Sequence, residues 1–163
     1  MSAIVILDAD FLSAFLKIER LPLLLTFYQV ERLCVPSAVY RELAMTDLLP
    51  SLLAFPWFTV EQPAPDRLAS VVSDDALNVL GAGEQEAIAL ALDHPGSVLL
   101  SNDRQAQRLA TGYGVTVINI PAFLLACKLA SLLDRSAMAE VTAALQAKDY
   151  YGFRRDVLKM LLD

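Results

Sequence analysis

Three short apolar runs constrain this chain more than any other feature: Ile4-Val5-Ile6-Leu7, Ser97-Val98-Leu99-Leu100 and Val115-Thr116-Val117-Ile118. Each is strand-sized and rich in β-branched residues, and none shows the strict polar–apolar alternation of a strand with one wet face. Such strands are buried on both sides, as in a parallel sheet covered by helices above and below. The predicted strands are Ala3–Leu7, Leu33–Val35, Trp57–Val60, Ser97–Leu100 and Val115–Asn119. Between them apolar residues recur at helical spacing, as in Leu12, Phe15 and Leu16, in Ala87, Leu90 and Ala91, and from Phe123 and Leu124 onward. Strands alternating with helices imply an α/β fold.

Local punctuation agrees. Ser37 after Pro36 is positioned to cap a helix through Leu43, and Gly81 and Gly83 interrupt the chain before a helix over Glu84–Leu92. The turn Asp93-His94-Pro95-Gly96 leads into the next strand, and Asn102 or Asp103 starts a helix ending at Gly112 or Gly114. Prolines 50, 56, 63 and 65 leave residues 46–65 the least defined region, and Ser136–Asp163 reads as two helices joined around Tyr150-Tyr151-Gly152.

Composition narrows the function classes. The chain has 163 residues, enough for one domain, and 56% of them are hydrophobic, which fills a core and excludes a disordered tail. The longest charge-free run, Leu109 to Cys127, holds Gly112, Gly114, Asn119 and Pro121, so no membrane span is expected. Asp8 ends the first apolar run with no basic segment before it, unlike a secretory signal. Cys34 and Cys127 read as buried thiols in a reducing, cytoplasmic setting. The net charge of −6 argues against nucleic-acid binding through a broad basic face, though not against an enzyme that touches nucleic acid locally.

The acids fall at particular places. Asp8 follows the first strand, with Asp10 two residues on as the candidate cap of the next helix. Asp103 follows the fourth strand, Glu42 lies on the helix leaving the second, and Glu84 opens a helix with Glu86 after it. In a parallel sheet, ligands bind outside the carboxyl ends of the strands, where these acids would gather. Converging carboxylates repel one another, and a hard divalent cation relieves the repulsion. Singly, each acid has a structural reading: a helix cap for Asp103, a macrodipole partner for Glu84, a solvated helix face for Glu42 and Glu86. His94, the one histidine, falls in a turn at the opposite edge and reads as a solvated turn residue. Gly81-Ala82-Gly83-Glu84 lacks the ending of a phosphate loop.

Four segments in order, Ile4 to Leu12, Val35 to Leu43, Gly83 to Ala91 and Leu99 to Asp103, resemble the PIN domain, the metal-dependent nuclease fold of bacterial and archaeal toxin ribonucleases. The Gly83-Glu84-Gln85-Glu86-Ala87-Ile88 element and Gly152-Phe153-Arg154 resemble a subgroup described as predicted nucleic-acid-binding proteins. The resemblance covers residues 1–120 and implies a three-layer α/β/α fold around a central, mainly parallel sheet of about four or five strands. Residues 121–163 are then a helical extension of one domain spanning 1–163.

By that resemblance Asp8, Glu42 and Asp103 are metal-binding acids, and the remaining acid is Glu84 or Glu86. Two positions on a helix diverge by about 200°, and Glu84 is favoured because Ala87, Ile88 and Ala91 then keep the buried face. Glu86 stays a supplementary ligand. Asp10 stands where the family commonly has Asn, Ser or Thr, and Ser101 and Asn102 are supporting residues that would orient a water or a phosphate oxygen. Arg41, Arg104 and Arg108 are the candidate phosphate contacts. The implied activity is a Mg²⁺- or Mn²⁺-dependent endoribonuclease, the toxin of a type II toxin–antitoxin pair. RNA is its substrate, and a small antitoxin and a homodimer are its expected partners, through the apolar stretches Leu21–Tyr28 and Leu48–Phe58. Two alternatives remain. One is a haloacid-dehalogenase-like phosphatase with Asp8 as nucleophile and Ser101 on phosphate, the other a catalytically degenerate binding module.

Overall fold

The computed structural model describes residues 3–163. The chain runs β1 (Val5–Leu7), α1 (Ala9–Lys17), α2 (Leu21–Tyr28), β2 (Leu33–Pro36), α3 (Ser37–Ala44), α4 (Leu49–Ala54) and β3 (Phe58–Glu61). It continues through α5 (Pro65–Ser73), α6 (Ala82–Asp93), β4 (Val98–Leu100), α7 (Arg104–Gly112) and β5 (Thr116–Ile118). Three helices close it: α8 (Ile120–Leu129), α9 (Arg135–Lys148) and α10 (Arg155–Leu162). The sheet order is β3-β2-β1-β4-β5 and every pairing is parallel, so all five carboxyl ends lie on one edge. This is the α/β architecture, with a parallel central sheet between helices, that the apolar runs predict.

Alternation along the strands explains the two covering layers. Val5 and Leu7, Leu33 and Val35, and Val98 and Leu100 enter one apolar cluster with α1 to α4 and α8 to α10. Ile6, Cys34 and Leu99, the residues between them, enter the other with buried residues of α5, α6 and α7. Phe11 and Phe15 stack with centroids 4.9 Å apart, and Phe123 of α8 meets both edge-on. The buried residues of the last three helices therefore belong to the same core as β1. Among the described residues no helix is long and apolar enough to cross a membrane.

The proline-rich middle resolves into α4, β3 and the start of α5, with Pro50 and Pro65 in first helical turns. Proline fits there because its missing N–H would be unpaired anyway. Two capping expectations are corrected. Asp8 holds the N-cap of α1, accepting from the Ala9 amide at 2.8 Å, and Asp10 lies inside the first turn. Ser37 is the first residue of α3 and not its cap; its hydroxyl donates to Glu86.

Candidate functional site

Chain direction assembles the acids. β1 and β4 are adjacent and in register, Leu7 opposite Leu100, so the residues after them emerge side by side, and the Asp8 amide donates to the Leu100 carbonyl at 3.0 Å. Helix α3 leaves β2 from the same edge and carries Glu42. Helix α6 runs back toward the start of β4, which puts its N-terminus, and Glu84, on that edge too. The close approach of α6 to α3 is eased by Gly83: a Cβ there would meet Val39 Cγ2 at 3.0 Å and lie 3.6 Å from Glu42 Oε2.

Asp8 is buried at 4% exposure. Its Oδ2 accepts from the fully buried Ser101 hydroxyl at 2.8 Å, and the same Ser101 oxygen accepts from the Asp103 amide at 3.2 Å. Ser101 thus links the two strand-end acids. Asp103 also N-caps α7, accepting from Ala106 at 2.7 Å, so its capping role and its place among the acids coexist. Glu84 accepts from the Gly81 amide at 2.6 Å, a cap across the first turn of α6.

The electrostatics are those of acids crowded against acids. Desolvation by burial, reinforced by Glu84 and Asp10, pushes the Asp8 carboxyl up to about 6 against the hydrogen bonds from Ser101 and Ala9. Asp10 is raised by desolvation and by Asp103 and Asp149, with Lys17 opposing. Glu84 is raised by desolvation and by Asp103, Asp10 and Glu42, opposed by its bond to Gly81. Asp8, Asp10, Glu42, Glu84 and Asp103 therefore form one mutually repelling set. An all-carboxylate donor set is the chemistry that hard divalent cations take. Among the described residues, no three His, Cys, Asp or Glu side chains stand close enough to grip an ion without rearranging.

Several expected roles change. Glu86 is buried, and its carboxylate accepts from the Ser37 hydroxyl and the Ala38 amide at the start of α3. It anchors that helix, and these bonds engage the carboxylate that the supplementary-ligand expectation would turn toward a cation. Full burial between Asp8 and Asp103 keeps Ser101 from a phosphate oxygen and removes the phosphate-binding residue of the phosphatase alternative. The Asn102 Oδ1 accepts from the Ile120 amide at 2.9 Å, tying α8 to the end of β4. Arg41, Arg104 and Arg108 are exposed and take part in none of the ion pairs found among the described residues. His94 lies at the far end of α6, its Nε2 3.4 Å from Glu61 Oε2. Cys34 and Cys127 are buried free thiols pushed up to about 12 by desolvation, inert as nucleophiles.

Two residues beside the site escape sequence reasoning. Lys17 donates to Asp149 at 2.9 Å, and Asp149 acts on Asp10. The pair spans 132 positions, so no local pattern announces it.

A family model described as a PIN domain matches residues 4–162. No curated protein matches the chain. PIN domains have a nuclease-type fold, bind nucleic acid and generally use divalent metal ions. With the parallel sheet and the acids at its carboxyl edge already in place, the match assigns the chain to the PIN-domain family.

Proposed function

We propose that this protein is a divalent-cation-dependent endoribonuclease, the toxin of a type II toxin–antitoxin pair. The observation that carries the reading is the sheet topology, which brings the acids after β1 and β4 and those on α1, α3 and α6 to one edge, with burial and like charge raising Asp8, Asp10 and Glu84. Asp8, Glu42, Glu84 and Asp103 would hold Mg²⁺ or Mn²⁺. Such an ion, when bound, lowers the pKa of a water and stabilises the charge that develops during phosphodiester hydrolysis. Asp8 and Asp103 are held from behind by Ser101, so they are the preorganised members. Glu42 is exposed and Glu84 is tethered only through Gly81, so these two turn inward to complete the set. Arg41, Arg104 and Arg108 are free to take phosphates and to offset the repulsion between the acids and a polyanion.

A small antitoxin or a second copy of the chain has an apolar place to dock: a cavity of about 400 Å³ between α1, α2 and α4, lined by Phe15, Leu21 and Phe55 among others. Leu53 on α4 and Met45 at the end of α3 stand exposed. The experiment that tests the function is cleavage of RNA with Mn²⁺ by the wild type and by Asp8→Asn. Loss of cleavage in the variant and in chelator is expected. Equal cleavage by the variant, or cleavage in chelator, overturns the mechanism. Calorimetry showing no Mn²⁺ uptake by the folded wild type favours the degenerate binding module instead.

A further inference from the structure

The connection between α9 and α10, residues 149–154, flanks the acidic edge, and two cavities open along it. One, of about 330 Å³, is lined by Asp10, Ser13, Lys17, Asn102 and Tyr150 among others. The other, of about 230 Å³, is lined by Arg104, Gln107, Asn119, Phe153 and Arg154. Asn102, Tyr151 and Gly152 line both, so the cavities adjoin across this connection. The first carries Asp10 and Asp149 with Lys17 between them in sequence, and the second carries the guanidinium groups of Arg104 and Arg154 and, among the described residues, no acid.

Tyr150 is the anomaly in this segment. It follows the C-cap of α9 at φ +53°, a conformation usually left to Gly or Asn, and its side chain is 88% exposed. Neither backbone geometry nor packing calls for a large aromatic ring there. Tyr151, half-buried beside it, packs on Phe153 with ring centroids 4.7 Å apart and gives the wall a rigid base. Arg104 lines the same cavity as Tyr151 and Phe153, so a cation stands on the same wall as that base. Among the described residues Arg154 pairs with the exposed Asp156 at 2.9 Å, a surface pair that water and salt weaken readily.

We propose that the α9–α10 connection is a nucleotide-binding wall, on which Tyr150 stacks a base of single-stranded RNA and Arg104 and Arg154 hold the neighbouring phosphate. The inference rests on the ribonuclease reading and adds to it where the strand lies. A polyanion cannot settle on the acid set unaided; Tyr150 opens on the cavity beside Asp10 and the two guanidinium groups on the adjoining one, and an aromatic face with cations further along the same path is a common means of holding a single strand without reading its sequence.

The test is fluorescence anisotropy of a short labelled single-stranded RNA with the full chain in chelator, so that binding is read without cleavage. Tyr150→Gly suits the backbone at φ +53° and should melt no lower than the wild type, yet bind the RNA about tenfold more weakly. Tyr150→Phe keeps the ring and should restore wild-type binding. Arg154→Gln should weaken binding and make its salt dependence shallower by about one counterion. If the wild type binds RNA and Tyr150→Gly binds it equally well, the wall is wrong while the ribonuclease reading stands. An unchanged salt dependence in Arg154→Gln overturns the phosphate assignment. If the wild type neither binds nor cleaves RNA, both proposals fall.

Discussion

Among the described residues two carboxylates are buried, Asp8 on the acidic edge and Glu86 at the junction of α3 and α6, and the two regions treat them in opposite ways. At the junction, the Ser37 hydroxyl and the Ala38 amide donate to Glu86. It also faces the N-terminus of α3, where the helix macrodipole is positive. Its charge is answered by the protein itself. On the edge, Asp8 receives only Ala9 and Ser101, and its charged neighbours Glu84 and Asp10 have its own sign. Burial alone therefore does not distinguish an acid held by the fold from one proposed to bind a cation. The distinction lies in whether the fold neutralises the charge or leaves it opposed.

The sharpest way to break this contrast is to neutralise Asp8. Asp8→Asn removes a charge that the fold tolerates poorly, so the cation-free protein should become more stable by about 1–3 kcal/mol at pH 7, read from urea unfolding. RNA cleavage with Mn²⁺ should meanwhile fall by at least about a hundredfold. A variant that is both less stable and fully active would erase the difference between the two regions.

Removing Glu86 should do the reverse. Glu86→Ala leaves the Ser37 hydroxyl and the Ala38 amide without their acceptor, a loss of about 2–4 kcal/mol in unfolding free energy. The folded fraction should still take up Mn²⁺ as the wild type does, measured by calorimetry. Loss of Mn²⁺ uptake at unchanged stability would return Glu86 to the site.

The pH dependence sharpens the comparison further. The folded pKa of Asp8, about 6, stands above the 3.8 of an ordinary aspartate, so the folded state holds this proton more tightly than the unfolded chain. Its contribution to stability is complete below about pH 4 and is lost as pH rises through about 6, by up to about 3 kcal/mol. Asp10 and Glu84 are shifted in the same direction and deepen the loss. Thermal melts of the cation-free protein should fall between pH 4 and 7 more steeply in the wild type than in Asp8→Asn. Mn²⁺ should flatten the wild-type curve, since binding to the folded state adds stability where the acids are ionised.

The same contrast marks what could be read from the chain. Asp8 and Asp103 were legible because each follows a continuous apolar run, and strand ends in a parallel sheet share an edge by direction alone. Glu42 and Glu84 were legible at one remove, from the helices that leave or approach that edge. Glu86 was not, because its partner Ser37 lies 49 positions away and meets it only when α3 packs on α6. Ser101 is expected from the sequence to support the acids, but the way it does so is not local. Its hydroxyl bridges acids on two strands, a contact across 93 positions that buries an otherwise reactive-looking side chain. In the fold, strand periodicity located all five strands to within two residues, while the short helices α2 and α4 depend on tertiary packing around Leu24 and Leu52 and left weaker local traces.

The smallest expected effect probes the geometry that brings the two regions together. Gly83 lies in the first turn of α6 between Glu84 and α3, and an added methyl would stand 3.0 Å from the Val39 Cγ2. Val39 is fully buried and has little room to retreat, so α6 must shift by a few tenths of an ångström. Alanine also favours the helix over glycine, which offsets part of that strain, and Gly83→Ala should change stability by less than about 1 kcal/mol. The shift falls on the spacing between Glu42 and Glu84, so cleavage should drop about three- to tenfold, small beside the loss in Asp8→Asn. Gly96→Ala supplies the control. Gly96 adopts φ +87° in the turn at the far end of α6, where an added side chain meets nothing within 4 Å. It should lose about 1 kcal/mol of stability to backbone strain and keep its activity per folded molecule. Equal activity losses in the two variants would mean that cleavage follows general stability, and the spacing of α3 and α6 would then have no special part in the site.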